Sequence, residues 1–123
     1  MVKLLLIEDD DLFRGQLAAG LVDAGHDVTE AANGRAGLRL FRETDPALVI
    51  TDIVMDEGEG LGAIMELRRE APGLPIIAMS GNSVYLDHGV KLGASEALLK
   101  PFNMKDLGEA IARVMEIPAA RSA

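Results

Sequence analysis

The sequence lacks cysteine and tryptophan, and it has only one tyrosine and three phenylalanines among 123 residues. Without cysteine, a disulfide scaffold, a thiolate metal site and a cysteine nucleophile are all excluded. The chain also has no apolar run near the roughly 20 residues that cross a bilayer, and its start shows no signal-peptide pattern. We therefore expect a cytoplasmic protein that does not insert into membranes.

Basic residues are outnumbered, because 12 lysines and arginines stand against 20 aspartates and glutamates, which gives a net charge of −8. Such a chain repels phosphate backbones, so direct nucleic acid binding is not expected. The charge favours cations and basic partner surfaces instead. With 49% hydrophobic residues over this length, the chain is long enough for one domain that folds alone and too short for two cores.

Apolar runs of strand length alternate along the chain with segments of helical spacing. In the segment 3–7, Lys3 is followed by four consecutive apolar residues, typical of a strand buried on both faces, and the following helical pattern ends before Gly25. The pair recurs four more times, with Asn103 as the predicted N-cap of the last helix. The predicted strands are 3–7, 26–31, 47–52, 75–80 and 94–99, and the predicted helices are 12–24, 35–42, 61–70, 83–92 and 104–116.

Strict alternation of strands and helices requires right-handed crossovers and a parallel sheet covered on both faces. The sequence therefore predicts the α/β class, with a doubly wound sheet of five parallel strands. Residues 1–117 form the expected domain. Residues 118–123 are expected to fray, with no output domain after them.

Polar side chains stand where four of the predicted strands end. The acidic run of residues 8–11 follows the first strand, Asp52 ends the third, Ser80 ends the fourth and Lys100 follows the fifth. Parallel strands place their carboxyl ends at one edge of the sheet, where ligands of such folds bind. We therefore expect these side chains to meet in one site.

The acidic run has two interpretations. Carboxylates at the start of a helix are stabilised by its dipole, by about 0.3 to 1 kcal/mol each. Stabilising the start of a helix takes one or two acidic residues, so it does not account for all four residues of the run. Adding Asp52 crowds negative charges that repel by roughly 4 kcal/mol per pair at 4 Å near a protein surface. A hard divalent cation such as Mg²⁺ relieves that repulsion, and we favour a magnesium site.

Each of the other strand-end residues has a simpler structural alternative. Asp52 could cap the following segment, Ser80 could cap the next helix, and Lys100 could merely neutralise the acids. An ammonium and a divalent cation together, however, bracket a place for an anion such as a phosphoryl group, and a serine hydroxyl can bind its oxygen.

Four segments then resemble a known family in order and spacing. They read LLLIEDD, LVITDIVM, PIIAMSG and LGASEALLKPF, and they extend over nearly the whole chain. Together they resemble the receiver domain of two-component response regulators. The resemblance implies the flavodoxin-like (βα)5 fold with strand order 2-1-3-4-5.

The resemblance also implies roles for the acidic residues. Asp52 is similar to the phosphoacceptor of the family, and Glu8 and Asp9 are similar to the acidic pair that positions Mg²⁺. Val54 would lend its backbone carbonyl to the metal. The domain would not be a classical enzyme, although it assists its own phosphorylation and dephosphorylation.

The remaining roles follow from the same resemblance. Ser80 and Lys100 would contact the phosphoryl oxygens, and the Lys100–Pro101 bond is similar to one that is cis in the family. The donor would be a sensor histidine kinase, a phosphotransfer protein or a small acyl phosphate. The phosphorylated domain would signal by contact with a downstream protein target that the sequence does not identify.

Two positions depart from the family pattern. The family usually has Tyr or Phe where this chain has Ala97, so the usual coupling of the hydroxyl to an aromatic ring cannot operate. Tyr85 is interpreted as a packed side chain, with the alternative that it replaces the missing ring. Asp56 stands where the family has proline, and Glu57, Glu59 and the glycines at 58, 60 and 62 suggest a flexible, solvated acidic loop or a contact for a basic partner.

Two rival functions stay open at this point. Asp9 and Asp11 have the D-x-D spacing of small magnesium-dependent aspartyl phosphohydrolases, but Phe13 stands where those enzymes have Thr or Val. The second rival is a receiver-like interaction module that keeps its acids and switches weakly, which Ala97 suggests.

Overall fold

The predicted alternation is present in the protein. The computed structural model describes residues 1–53 and 59–116. Ten elements follow one another within these ranges. They are β1 (Lys3–Ile7), α1 (Asp11–Asp23), β2 (Asp27–Ala31), α2 (Gly34–Thr44), β3 (Leu48–Asp52), α3 (Glu59–Glu70), β4 (Ile76–Ser80), α4 (Ser83–Leu92), β5 (Glu96–Leu99) and α5 (Met104–Met115).

The five strands form one parallel sheet in the order β2-β1-β3-β4-β5. Both the parallel sheet and the order implied by the resemblance are confirmed. In the register, Leu5 of β1 lies beside Thr29 of β2 and Val49 of β3. Because every strand runs the same way, the ends of β1, β3, β4 and β5 share one edge of the sheet.

Helices cover the sheet on both faces and divide the core into two layers. Alternate side chains of β1 point to opposite faces, so Leu4 and Leu6 pack with α1 and α5. Leu5 and Ile7 pack in the other layer, which α2, α3 and α4 cover. All four side chains are fully buried. Burial of each stabilises the fold by roughly 2 kcal/mol.

Asparagines begin three of the helices. The side chain of Asn103 accepts a hydrogen bond from the backbone N–H of Asp106, and Asp106 bonds back to the N–H of Asn103. This arrangement confirms the predicted N-cap of α5. Asn33 and Asn82 cap α2 and α4 through side chains that accept from backbone N–H groups of the first turn. No helix in the described ranges is long and apolar enough to cross a membrane.

The start of α3 differs from its prediction. The helix begins at Glu59 rather than at residue 61, so it includes Gly60 as well as Gly62, and the assignment of these two glycines to a flexible loop was wrong. A side chain at Gly60 would overlap the backbone carbonyl of Ile53, so only glycine allows α3 to begin this close to the end of β3. Asp56, Glu57 and Gly58 lie outside the described residues, as does the tail at 118–123.

Candidate phosphoryl and metal site

The strand-end residues meet at one edge of the sheet, as the sequence predicted. Glu8 and Ser80 are each 1% exposed and Asp52 is 5% exposed, although all three are polar. Asp52, Ser80 and Lys100 line an open cavity of about 330 Å³, which we call the acidic pocket. A buried carboxylate destabilises the fold unless it is paired, so Glu8 and Asp52 require a positive charge close by.

Lys100 supplies the positive charge of the pocket. Its ammonium donates to Glu8 Oε1 at 2.8 Å and to Asp52 Oδ2 at 3.2 Å, across 92 and 48 residues of chain. Burial lowers the pKa of Lys100, but the hydrogen bond to Glu8 and the charge of Asp52 outweigh burial, so the pKa is raised above its usual value. Lys100 therefore carries its charge throughout the physiological pH range.

The backbone around Lys100 is tied to the neighbouring strand. The N–H of Lys100 donates to the carbonyl oxygen of Ser80 at 2.8 Å, which fixes the end of β5 against the end of β4. The Lys100–Pro101 peptide bond is cis, as the resemblance implied.

The acidic run after β1 divides into two pairs with different surroundings. Carboxylate oxygens of Glu8, Asp9 and Asp52 all lie within 4.8 Å of one another. Asp10 instead accepts a hydrogen bond from the N–H of Phe13 and caps α1. Asp11 pairs with an arginine one turn further along the helix. The capping interpretation therefore applies to Asp10, whereas the metal interpretation depends on Glu8 and Asp9, which cluster with Asp52.

The chemistry of the three clustered carboxylates fits Mg²⁺. This ion prefers oxygen ligands, retains several waters and is bound by a few carboxylates beside a phosphate. Glu8, Asp9 and Asp52 offer such oxygens, and the cavity beside them leaves room for water and an anion. Val54, whose carbonyl the resemblance assigns to the metal, lies outside the described residues, so its role stays a prediction.

Ser80 lines the acidic pocket and does not cap α4. Its oxygen accepts a hydrogen bond from the N–H of Asn82 at 3.0 Å, while Asn82 itself caps the helix. The capping interpretation of Ser80 was therefore wrong. The hydroxyl proton remains able to donate, so Ser80 can bind an oxygen anion in the cavity that it lines.

Arg14 was missed by the sequence analysis. Its guanidinium donates to the carbonyl oxygen of Glu8 at 2.8 Å and pairs with Asp11 and Glu30. It therefore fixes the backbone at the end of β1, next to the metal-binding candidates. Its position one turn into the helix after the acidic run was an available signal, but the contact to β2 depends on the sheet order.

Phe13 was assigned no role at this site by the sequence analysis. The Lys100 ammonium lies 4.6 Å from the centre of the Phe13 ring, on which the edge of Phe102 packs at 6.1 Å between ring centres. A cation over an aromatic face gains about 0.5 to 2 kcal/mol, more when it is desolvated. The Phe13 ring thus contacts the ammonium in addition to the two carboxylates.

We expect Phe13→Leu to lower the free energy of unfolding by about 2 kcal/mol, through loss of the cation contact and of the aromatic pair. Urea denaturation of Phe13→Leu, Lys100→Met and the double variant separates these contributions. The expected coupling energy between positions 13 and 100 is about 1 kcal/mol. Strictly additive effects would show that the ring does not hold the ammonium.

The aromatic position of the family is small in this chain. Ala97 of β5 lies beside Ala78 of β4 in the register, and its side chain is half-buried. Tyr85 lines the acidic pocket and is 42% exposed, with its ring edge-on to His88. The packed interpretation of Tyr85 was therefore wrong. Replacement of the missing ring by Tyr85 stays a prediction.

A doubly wound α/β fold with a lysine and three carboxylates at the carboxyl edge of its sheet defines a narrow class of proteins. Residues 4–112 match the family described as response regulator receiver domain. The chain belongs to this family.

Individual relatives agree with this assignment. The chain is 36% identical over 115 residues to a probable transcriptional regulator, ycf27, of Porphyridium aerugineum, which covers 92% of this chain and 48% of that protein. It is 36% identical over 117 residues to the transcriptional regulatory protein AfsQ1 of Streptomyces coelicolor, covering 94% and 52%. The chain thus spans about half the length of the curated relatives it matches.

Solved structures show the same fold. The receiver domain of NtrX from Brucella abortus is 26% identical and superposes with a TM-score of 0.87, covering 94% of this chain and 99% of that one. The receiver assignment therefore rests on sequence and structure together.

Proposed function

We propose that this receiver domain accepts a phosphoryl group on Asp52 and signals through protein contacts. The donor is a sensor histidine kinase or a phosphotransfer protein, and Mg²⁺ is required. One observation carries the proposal: the Lys100 ammonium bridges two buried carboxylates, Glu8 and Asp52, at a cavity that Ser80 also lines. The ammonium offsets the negative charge of the two carboxylates, and the cavity leaves room for an anion.

The transfer is a displacement at phosphorus. An oxygen of the Asp52 carboxylate forms a bond to phosphorus while the bond from phosphorus to the donor imidazole nitrogen breaks. The nitrogen keeps the electron pair. Because a carboxylate approaches an electron-rich group, the main task of the site is to offset negative charge on the transferring oxygens.

The chain's own residues divide that task. Lys100 contacts the Asp52 carboxylate, so its ammonium is close enough to pair with phosphoryl oxygens once they are bound to Asp52. The Ser80 hydroxyl can donate a hydrogen bond to one of these oxygens. Glu8, Asp9 and Asp52 would hold the metal. When bound, Mg²⁺ supplies divalent charge that stabilises the transferring group.

Phosphorylation of Asp52 would add negative charge close to Ser80, which is hydrogen-bonded to the N-cap of α4. Ser80 ends β4, and its hydroxyl accepts from the N–H of Asn82, the N-cap of α4. A phosphoryl oxygen that draws in the Ser80 hydroxyl therefore acts on the start of α4. We propose that this segment transmits the signal to the downstream target.

The experiment is incubation with Mg²⁺ and a small acyl phosphate, followed by intact mass measurement. We expect one phosphoryl adduct in the unaltered protein and none in Asp52→Ala. Asp87→Ala removes an exposed acid of α4 and serves as the matched control, with an adduct like that of the unaltered protein. An adduct that persists in Asp52→Ala would refute Asp52 as the acceptor.

The interaction-module alternative keeps one supporting observation, the small side chain of Ala97 at the half-buried position on β5. It predicts equal partner affinity with and without the phosphoryl group. Turnover of a phosphomonoester would instead support the phosphohydrolase alternative. Neither rival is favoured by the family match or by the similar solved structure, because both concern receiver domains.

The relatives' names describe transcriptional regulation by those proteins. For this chain, the absence of direct nucleic acid binding and the cytoplasmic location stay predictions from the sequence.

A further inference from the structure

A second cavity lies between α2 and α3 and shares no lining residue with the acidic pocket. Its volume is about 380 Å³. We call it the α2–α3 groove. Arg35, Arg39 and Arg42 line it from α2 together with Leu38, and Gly62 and Ala63 line it from α3.

The three arginines form a row along one face of α2. Their spacing of four and three residues places them on the same side of the helix, over about 10 Å of its axis. Arg42 donates to Glu70 of α3 at 3.0 Å. Within the described residues, the exposed side chains of Arg35 and Arg39 make no hydrogen bond or ion pair. These two neighbouring cations therefore have no described acidic partner, in a chain of net charge −8.

A row of arginines alone is common on a solvated helix face, but the opposite wall of the groove adds a second observation. Gly62 lies inside α3, where glycine weakens a helix relative to alanine. No described atom lies within 4 Å of the position that its side chain would take. Gly60, by contrast, is required by the carbonyl of Ile53. Nothing in the described fold requires glycine at position 62. Because glycine has no side chain, it leaves the α3 side of the groove open.

We propose that the α2–α3 groove binds an acidic helical segment of a partner protein. The row of three arginines over about 10 Å, in which Arg42 also pairs with Glu70, matches carboxylates spaced i, i+4 and i+7 on such a helix. The low wall at Gly62 lets a helix backbone approach, and half-buried Leu38 offers an apolar surface between the charges. A single small anion could engage only part of this row.

The probe is a capped helical peptide of about 18 residues, with glutamates at i, i+4 and i+7 around one leucine. Its binding is measured by fluorescence anisotropy at low salt, against a peptide with each glutamate replaced by glutamine. We expect binding of the acidic peptide only. Arg35→Gln/Arg39→Gln should weaken binding about tenfold, whereas Arg69→Gln, on α3 outside the groove, should change it less than twofold.

Gly62→Leu provides an independent test, because a Cβ atom at this position meets no described atom and Gly62 lines the groove, so the rest of the leucine side chain would occupy space needed by a bound helix. We expect its thermal midpoint to stay at or above that of the unaltered protein while peptide affinity falls at least tenfold. Equal binding by all variants, or by the glutamine peptide, would overturn the proposal. So would binding of inorganic pyrophosphate that depends on Arg35 and Arg39 when the acidic peptide does not bind. Asp52→Ala should bind the peptide normally, which separates this site from phosphorylation.

Discussion

Lys100→Met should lower the free energy of unfolding by about 3 kcal/mol when metal is removed by a chelator. Methionine keeps most of the side-chain volume but leaves Glu8 and Asp52 as buried carboxylates without their shared cation. Removing one partner of a buried ion pair is strongly destabilising for this reason. Urea denaturation at neutral pH measures the effect.

A second arm of the same experiment tests the cause. Adding Mg²⁺ should raise the unfolding free energy of Lys100→Met more than that of the unaltered protein, because the more negative pocket binds the cation more tightly. Lys105→Met, an exposed lysine of α5, is the matched control and should cost less than about 0.5 kcal/mol. If both variants lose the same small amount, the ion pairs of Lys100 do not stabilise the fold.

Asp9→Asn should weaken Mg²⁺ binding by about tenfold to a hundredfold. Its carboxylate belongs to the group of three whose oxygens lie within 4.8 Å of one another, so the substitution removes a full negative charge next to the cation. Asp9 is exposed, and solvent screening keeps the effect below what a buried charge would give. Isothermal titration with Mg²⁺ gives the affinity directly.

The neighbouring Asp10 provides a control with the same change in charge. Asp10 caps α1, and asparagine caps a helix as well as aspartate does, so Asp10→Asn should preserve the fold. We expect its Mg²⁺ affinity to change less than threefold. Equal losses in Asp9→Asn and Asp10→Asn would mean that the ion responds to the overall charge of the acidic run rather than to the cluster with Glu8 and Asp52.

Much of the fold could be predicted because its signals are local. Fully buried strands such as β3 and β4 are mostly apolar in sequence, and the helices show their own spacing, with asparagine caps on α2, α4 and α5. The start of α3 could not be predicted in this way. Gly60 suggested flexibility from the sequence, whereas the close approach of the Ile53 carbonyl, a tertiary contact, explains it.

The candidate site was predictable to the extent that strand ends determine it. Glu8, Asp52, Ser80 and Lys100 each end or follow a strand, and a parallel sheet brings such positions together. Side chains that approach from helices were missed. Phe13 reaches Lys100 only because α1 and α5 share one face of the sheet, which the sequence pattern does not specify.

The acidic run shows a further limit of sequence reasoning. Four consecutive acids have the same residue chemistry, yet Asp9 joins the cluster with Asp52 while Asp10 bonds to the first turn of α1. The direction of each side chain depends on where β1 ends and α1 begins. That boundary shifts by one or two residues in any pattern-based assignment.

Locating the phosphoryl group within the chain tests the central claim most directly. The protein is labelled with a small acyl phosphate and Mg²⁺, digested, and its acidic peptides are sequenced by mass spectrometry. We predict that the phosphoryl group is found on Asp52 alone and that a chelator abolishes the labelling. A label on Asp9 or another acid, or no label under conditions that modify a control receiver domain, would contradict the account.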